Sequence, residues 1–491
     1  MAKWLTKSDY AKFLIHPAYF WISKYAKAAL PAFGEIAQAK FEESNVVDAV
    51  AQQLFPGGHR IDVPMFDGPD ESASRMQIGG PASVFRPSAL TSRRLYARSD
   101  IMVRHGETWD IYEVKNSASV KTAHLLDLAF QKYVWEEAGY TIRKSFVIHV
   151  NAQYVRDGPV DPAKFFTIVE VTDQIEPLAK STADKIAEAI LVLNQTQQPD
   201  DAPNLAGEWY GYREVYRYLH PDLPAASILN LTRLNLAQLQ RFAALGITEI
   251  TAVPDNFEVL PQQQAQIAVA RSTQPLIAYE KIKESLGTLQ YPLYFLDYET
   301  FASAVPLWDG VRPYQQLPFQ YSLHVIHKQN GPLLHQEFLA QGTKYPVAKL
   351  LEHLQTDLGN AGNVIVWNKS FEMGCNDAMA TLHPEYYDFL SGINARVYDL
   401  MEIFASGWYA HTGFMGSASI KKVLPVLVPE LSYNDLGIGE GLTAQIRWVR
   451  SARGELTSDQ IQQVYDNLIE YCGQDTLAMV KIYRLLQNLE H

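Results

Sequence analysis

The segment YPLYFLDYET, which ends at Thr300, constrains the fold of this chain more than any other. Its apolar and aromatic residues are typical of a strand, and Asp297 and Glu299 lie two residues apart within it. Because side chains alternate across a strand, both carboxylates leave the same face. Residues 294–296 predict a buried central strand, in which two adjacent carboxylates are costly unless a cation compensates their charge. The segment therefore predicts a cation site, with a strand end that carries two solvated acids as the alternative.

Two later segments place further polar side chains on predicted regular structure. VIVWNKSFE is typical of a strand followed by Asn368 and Glu372. A long amphipathic helix is predicted over residues 458–489, with Tyr471 and Asp475 one turn apart on the same face. Asp475 lies on the apolar stripe of this helix, where a lone acid is destabilising unless it is paired or bound to a metal ion. Asp475 is therefore a candidate metal ligand.

In the order D-x-E, N-x-x-F-E and Y-x-x-x-D, these segments resemble the exonuclease motifs of the DnaQ-like DEDD superfamily, and the tyrosine spacing resembles its DEDDy branch. The resemblance covers residues 291–491 and implies an RNase H-like mixed sheet flanked by helices. It implies that four carboxylates hold two divalent ions, Mg²⁺ or Mn²⁺: Asp297, Glu299, Glu372 and Asp475. Tyr471 would orient the attacking water, and Asn368 and Lys421 are candidate nucleic-acid contacts. The second motif departs from the family, because it ends in Glu372 where aspartate is usual.

The N-terminal part of the chain contains a second acidic constellation. Asp100 opens a short apolar strand, and Glu113 and Lys115 lie two apart on the next strand, so both of these side chains leave one face. Two carboxylates can hold a divalent ion that polarises a phosphate and lowers the pKa of a bound water. An adjacent lysine can position that water and offset developing negative charge. A solvated salt bridge within an ordinary strand is the alternative interpretation.

The order of these elements resembles the RecB-like branch of the PD-(D/E)XK nuclease superfamily. It runs from an acid-rich helix through the two strands to a helix with Gln131, and it covers residues 5–170. The resemblance implies a restriction-endonuclease-like fold. It also implies that Asp100 and Glu113 bind a metal ion and that Lys115 is catalytic.

The same resemblance bears on the remaining positions of the predicted site. Asp48 matches the metal-binding acid of the helix, with Glu43 as the alternative. Gln131 matches the glutamine of the last motif and is a candidate nucleic-acid contact. Many members of the branch hold an iron–sulfur cluster on four cysteines, but this chain has only Cys375 and Cys472. Because thiolates are the obligatory ligands, the sequence excludes an iron–sulfur cluster.

The charge of the chain bears on its partners. A net charge of −12 argues against a passive nucleic-acid coat, which would be basic. It does not exclude a nuclease, because such enzymes concentrate carboxylates around their metal ions and contact phosphate through local basic clusters. Arginines at 93, 94, 98 and 104 form one such cluster, and Lys421 with Lys422 forms a smaller one that solvated surface charge explains equally well. Nucleic acid is the predicted partner, with DNA favoured over RNA.

The sequence patterns typical of strands and helices divide the chain into three predicted regions: a nuclease domain at 1–170, a mainly helical connecting region at 171–290 and an exonuclease domain at 291–491. We find no apolar run of membrane-spanning length and no signal-peptide core, so we expect a cytoplasmic protein without a membrane partner.

We expect an α/β protein that hydrolyses phosphodiester bonds in DNA with two metal-dependent sites, in repair, recombination or defence. One alternative is an RNA 3′–5′ exonuclease, because nothing in the sequence distinguishes the two polymers. Another is a nucleic-acid-binding protein whose N-terminal nuclease domain is degenerate. The sequence disfavours a glycosidase built on Asp297 and Glu299, because two carboxylates two residues apart on a strand cannot flank a glycosidic bond.

Overall fold

A computed structural model describes residues 4–32, 34–61, 82–202, 209–224, 226–342, 344–433, 436–438 and 440–489. The chain divides into two compact units, each of mixed α/β structure. Unit 1 comprises Met1–Pro221 and Ser303–Tyr314, and unit 2 comprises Asp222–Ala302 and Gln315–His491. The α/β class predicted from the sequence is thus confirmed. Among the described residues, no helix combines the length and the apolar content needed to cross a membrane.

Unit 1 is built on a mixed six-stranded sheet. The strands described in unit 1 are β1 (Leu5–Thr6), β2 (His59–Arg60), β3 (Ser83–Phe85), β4 (Ser88–Leu90), β5 (Leu95–Arg98), β6 (Ile101–His105), β7 (Thr108–Lys115), β8 (Thr141–Val150) and β9 (Phe166–Glu170). Its helices are α1 (Lys7–Ile15), α2 (Pro17–Tyr25), α3 (Glu35–Gln52), α4 (Thr122–Glu137), α5 (Pro162–Phe165), α6 (Thr172–Ile175), α7 (Ala179–Leu193) and α8 (Trp209–Leu219). The large sheet has the order β2-β3-β6-β7-β8-β9, and β1, β5 and β4 form a smaller one.

Alternation along β7 determines where unit 1 places its polar residues. Ile111 packs in the core cluster that also contains Leu128 of α4. Val114 points to the other face and packs in a second cluster together with residues of α3. Because side chains alternate, Glu113 and Lys115 share the face of Ile111 and lie on the side of α4.

Unit 2 is built on a mixed five-stranded sheet. The strands described in unit 2 are β10 (Leu276–Ile277), β11 (Leu293–Phe301), β12 (Leu317–Ile326), β13 (Leu333–Leu339), β14 (Asn363–Val366), β15 (Val397–Asp399) and β16 (Tyr409–Ala410), of which β10 and β16 pair separately from the five-stranded sheet. Its helices are α9 (Leu236–Ala244), α10 (Pro261–Ser272), α11 (Tyr279–Gly287), α12 (Val347–Asp357), α13 (Lys369–Leu382), α14 (Tyr387–Asn394), α15 (Glu402–Ala405), α16 (Ile420–Leu427), α17 (Gly441–Ala452) and α18 (Ser458–Gln487).

Strand β11 lies at the centre of this sheet, whose order is β13-β12-β11-β14-β15. It pairs antiparallel with β12 and parallel with β14, which explains why apolar residues occupy both of its faces. Helix α18 packs on β11 and β12 and begins with a capping box formed by Thr457 and Gln460. The predicted buried strand and the predicted long C-terminal helix are both confirmed.

The predicted boundaries after residues 170 and 290 do not coincide with the two units. Helix α7 follows the first boundary, and its residues Ile186, Ala189 and Leu193 pack into the core cluster of unit 1. The segment Ser303–Tyr314, between β11 and β12, is also part of unit 1. Its Ala304 lies in the second core cluster of that unit. The units defined by the packing of apolar side chains therefore differ from the regions predicted from helix and strand patterns in the sequence.

Candidate functional site

Unit 2 brings the four predicted metal ligands into one cluster. They come from β11, the first turn of α13 and the middle of α18: Asp297, Glu299, Glu372 and Asp475. Glu372 is 1% exposed, Glu299 7% and Asp475 8%. The carboxylates interact electrostatically with one another, which requires them to lie close together.

Burial and mutual repulsion oppose the ionisation of this cluster. Burial, followed by the charge of Asp475, raises the pKa of Asp297 well above its ordinary value. Burial and the Asp297 carboxylate raise the pKa of Glu299 in the same way. The pKa of Glu372 is also raised, first by burial and then by Asp297 and Glu299. In its ionised form such a cluster requires a compensating cation.

The hydrogen bonding of Glu372 agrees with a cation site. The backbone of Tyr298 opposes the rise in the pKa of this carboxyl group. Its Oε2 atom is buried and has no hydrogen-bond partner within the part of the chain that the structure describes, which is rare for a buried polar atom. Carboxylate oxygens are the ligands that Mg²⁺ and Mn²⁺ prefer. The donor set of the cluster therefore fits a divalent ion.

Two tyrosines and a lysine adjoin Asp475. The Tyr433 hydroxyl donates a hydrogen bond to Oδ1 of Asp475, and Tyr471 lies one helical turn before Asp475 on the same face of α18. Burial raises the pKa of Asp475 to about 6, although Tyr433 and Lys421 oppose the rise. The Lys421 Nζ atom lies 5.2 Å from the ring centroid of Tyr471 and 5.8 Å from that of Tyr433. Tyr433 is not among the residues predicted from the sequence, and it lies far from the three motifs along the chain.

A thiol also lies in this cluster. Cys472 of α18 is fully buried, and its Sγ atom is 3.7 Å from Oδ2 of Asp297. Ligand atoms of Asp297, Glu299 and Cys472 all lie within 4.8 Å of one another. Burial, followed by the charges of Asp297 and Glu299, raises the pKa of the thiol well above its ordinary value. Without a cation, Cys472 is therefore a neutral S–H group directed at Asp297.

The acid Asp399 organises the start of α13. It accepts hydrogen bonds from the backbone N–H groups of Asn368 at 3.1 Å, Lys369 at 2.9 Å and Met401 at 3.1 Å. Asp399 therefore has a structural role at the start of α13. Asn368 itself has a φ of 93°, a left-handed conformation in which asparagine is more common than most residues, and its side chain is exposed.

In unit 1, Glu113 is the centre of a salt-bridge network. Its Oε1 atom accepts hydrogen bonds from Lys7 and from Lys115, each at 2.7 Å. Its Oε2 atom accepts one from Nε2 of Gln131 at 2.7 Å. Lys115 also binds Oδ2 of Asp127 at 2.6 Å. Three residues predicted from the sequence, Glu113, Lys115 and Gln131, are thus linked by hydrogen bonds. Lys7 and Asp127, which were not predicted, belong to the same network.

The carboxylates of this cluster differ in their acidity. Burial alone would raise the pKa of Glu113, but Lys115 and Lys7 hold it well below its usual range. Burial, followed by the charge of Glu113, raises the pKa of Asp48 to about 6. The same two causes raise the pKa of Asp100 well above its ordinary value. Asp48 and Asp100 therefore lie close enough to Glu113 to interact with it.

The alternative helical acid, Glu43, binds other groups. Its carboxylate accepts hydrogen bonds from Nδ2 of Asn116 at 3.0 Å and from the backbone N–H of Ala304 at 2.8 Å. The helical acid whose charge interacts with Glu113 is Asp48.

The predicted contact of Gln131 with nucleic acid is corrected by the structure. Gln131 is 0% exposed. Its amide nitrogen binds Glu113, and its Oε1 atom accepts a hydrogen bond from Ser99 at 2.7 Å. A side chain with no exposed surface cannot touch a polymer, so Gln131 positions Glu113 instead. Asp127 lies four residues before Gln131 on the same face of α4, and this spacing is the signal by which the sequence could have indicated it.

Comparison with known proteins adds a family match and a few relatives. A family model described as a domain of unknown function (DUF2779) matches residues 294–419. This range contains Asp297, Glu299 and Glu372 and ends before Tyr471 and Asp475.

The relatives have names that assign no activity. Uncharacterized protein MG366 of Mycoplasma genitalium is 27% identical over 226 residues, which is 43% of this chain and 34% of the relative. Uncharacterized protein UU173 of Ureaplasma parvum is 24% identical over 309 residues, 57% of this chain and 42% of the relative. The MG366 homolog of Mycoplasma pneumoniae is 28% identical over 225 residues, 42% of this chain and 34% of the relative. The chain thus matches between a third and about two fifths of the length of these relatives.

Proposed function

We propose that the chain is a metal-dependent nuclease and that unit 2 degrades nucleic acid from its 3′ end. The observation that carries this proposal is the cluster of four carboxylates, three of them buried and that of Asp297 half-buried, in which Oε2 of Glu372 lacks a hydrogen-bond partner among the described residues. The three segments that supply them resemble the DEDDy exonuclease motifs. A five-stranded mixed sheet with flanking helices is the architecture that this RNase H-like resemblance implies.

The residues of unit 2 have distinct roles in this proposal. Mg²⁺ or Mn²⁺ ions held by the carboxylates would polarise the phosphate and lower the pKa of a bound water. Tyr471 lies one helical turn before Asp475 on α18, and its hydroxyl would orient that water. Lys421 lies beside the tyrosine ring and would offset negative charge on the substrate. Asn368 is exposed at the start of α13 and would contact the polymer.

The cluster of unit 1 supports a second nuclease site of the RecB-like kind. Asp48, Asp100 and Glu113 would bind the ion, and Lys115 would position the water. Gln131 would fix the orientation of Glu113 through the hydrogen bond between them.

One observation favours a second candidate function for unit 1. The Oε1 atom of Glu113 already binds two ammonium groups, those of Lys7 and Lys115. Such a network is also typical of a structural salt bridge. Unit 1 would then bind nucleic acid without cleaving it, and unit 2 would be the single catalytic site.

The exonuclease proposal is tested with the full chain and end-labelled substrates. Single-stranded DNA and RNA, labelled at the 5′ end, should give a ladder of shortened labelled products with Mn²⁺, and EDTA should abolish the reaction. Asp297→Asn should remove this activity, because Asp297 interacts with the other three acids. The matched control is Asp466→Asn, an exposed acid on the same helix as Asp475, which should retain full activity.

The same assay distinguishes DNA from RNA as the substrate, and repair, recombination or defence is the setting that we propose for a DNA substrate. Degradation of DNA in preference to RNA supports the DNA interpretation, and the reverse supports the alternative. If wild type degrades neither polymer with Mg²⁺ or Mn²⁺, or if Asp297→Asn retains the activity, unit 2 is not an exonuclease.

A further inference from the structure

Cys472 occupies an unusual place for a thiol. It lies three residues before Asp475 on α18, so the two side chains share one face of the helix. It is 0% exposed, and its Sγ atom faces Oδ2 of Asp297 at 3.7 Å. The Sγ atom also lies 3.9 Å from the backbone oxygen of Asp297, and four carboxylates act electrostatically on this buried thiol.

The spacing of these atoms suits shared coordination of one ion. Thiolate and carboxylate ligands bind Zn²⁺ at about 2.3 Å and about 2.1 Å, so a tetrahedral angle places sulfur and oxygen about 3.6 Å apart. The observed Sγ to Oδ2 distance is 3.7 Å. Ligand atoms of Glu299, Asp297 and Cys472 also lie within 4.8 Å of one another. One ion can therefore reach all three groups without a large movement of the backbone.

Glu372 provides an independent sign that this cluster binds a cation. It is 1% exposed, and its Oε2 atom has no hydrogen-bond partner among the residues described. It comes from α13, a different element from those that carry Cys472 and Asp297, and it interacts electrostatically with Asp297 and Glu299. The charge of Glu372 acts on the thiol and on two other acids, so its buried oxygen without a partner among the described residues marks the place of a missing positive charge.

We propose that Cys472 is a metal ligand, so that one ion position in unit 2 takes a thiophilic transition-metal ion such as Zn²⁺ or Co²⁺ rather than Mg²⁺. On binding, the thiol releases its proton to solvent and the sulfur lone pair forms the bond to the ion. Asp297 and Glu299 complete the donor set. The inference deepens the proposed function, because it concerns the same cluster, but its evidence is the position of the thiol.

The competing interpretation is that Cys472 only fills space and donates a weak S–H hydrogen bond to Asp297. The two interpretations differ in metal preference. Thiolate ligands favour Zn²⁺, Co²⁺ and Cd²⁺ over Mg²⁺, which prefers oxygen. A space-filling thiol leaves a site made of carboxylates alone, and such a site has no sulfur-dependent spectrum.

The chain is suited to a spectroscopic test, since Cys375 and Cys472 are its only cysteines. Full-length protein, freed of metal by chelation, is titrated with Co²⁺ and followed by absorption. Wild type should develop the near-ultraviolet band of a thiolate-to-cobalt charge transfer. Cys472→Ser should lose it, whereas Cys375→Ser, the same substitution at another buried thiol, should keep it. Cd²⁺ affinity should fall at least about tenfold in Cys472→Ser, and Mg²⁺ affinity should stay unchanged.

A second measurement needs no variant and covers the case in which Cys472→Ser does not fold. X-ray absorption of the zinc-loaded wild type should reveal one sulfur at about 2.3 Å. Co²⁺ binding without the charge-transfer band, a band that persists in Cys472→Ser, or a zinc shell without sulfur would overturn the inference. The nuclease proposal is decided separately by the activity of Asp297→Asn. That variant can retain 3′-end degradation, and so refute the exonuclease, while the wild-type spectra still decide the role of Cys472.

Discussion

Replacing Asp475 by asparagine should stabilise the metal-free protein at neutral pH. Burial raises the pKa of Asp475 from 3.8 to about 6, so the folded state holds the proton more tightly than the unfolded state does. The free energy of unfolding therefore falls as pH rises from about 4 to about 6 and stays low above that range. A difference of about two in pKa corresponds to about 3 kcal/mol. An asparagine side chain cannot ionise, so Asp475→Asn removes this cost.

The raised pKa already includes the hydrogen bond from the Tyr433 hydroxyl, which favours the charged carboxylate. We therefore expect Asp475→Asn to be more stable by about 3 kcal/mol at pH 7.5 in EDTA. For a protein unit of this size, that corresponds to a Tm increase of about 6–12 °C. The difference should vanish at pH 4.

The assay is thermal unfolding in EDTA, followed by tryptophan fluorescence from pH 4 to pH 8. A matched control is Asp399→Asn, the same change at another buried acid of unit 2. Its carboxylate accepts three backbone N–H groups, and an amide would turn one acceptor into a donor. We expect this variant to be less stable by about 1–3 kcal/mol. An Asp475→Asn protein that is less stable than wild type at pH 7.5, or whose effect does not change with pH, would show that Asp475 does not have a raised pKa in the folded state.

Two further predictions concern the roles of individual side chains. Tyr471→Phe should lower the turnover of 3′-end degradation without weakening Mn²⁺ binding. Tyr433→Phe should weaken Mn²⁺ binding by about 10–100-fold, because the Tyr433 hydroxyl orients the Asp475 carboxylate. Equal turnover in wild type and Tyr471→Phe would assign Tyr471 to packing. Lys115→Ala should spare 3′-end degradation and remove a second metal-dependent cleavage, internal or from the 5′ end. Lys7→Ala is the comparison variant, because Lys7 provides the other ammonium group bound to Glu113. A Lys115→Ala protein that matches wild type on every DNA and RNA substrate would show that the salt-bridge network around Glu113 is structural.

Sequence periodicity was sufficient to predict the elements that carry the acids. The apolar run before Asp297 forms the central strand β11, and the stripe that contains Asp475 forms α18. Apolar periodicity is informative here because a buried strand or helix face consists mainly of apolar residues, so an acid within it is easily recognised in the sequence. The strand with Glu113 and Lys115 was predictable for the same reason.

The remaining site residues could not be predicted, because their roles arise from contacts across elements. Lys7 lies 106 residues before Glu113, and Tyr433 lies 42 residues before Asp475. Neither has a spacing or an apolar context that distinguishes it from an ordinary surface lysine or core tyrosine. Gln131 is the converse case, because a residue type that suits contact with nucleic acid is used here to orient a buried acid.

The two clusters differ in how their negative charge is balanced, and this difference bears on metal dependence. In unit 1, two lysines bind Glu113, and Lys115 also binds Asp127. In unit 2, Lys421 acts electrostatically on Asp297 and Asp475, and no described residue hydrogen-bonds Oε2 of Glu372. Because a ligand that binds only the folded state adds its binding free energy to stability, divalent ions should contribute more to the stability of unit 2 than to that of unit 1. The cluster with the less complete internal neutralisation is therefore the one whose folded state should respond most strongly to a metal ion.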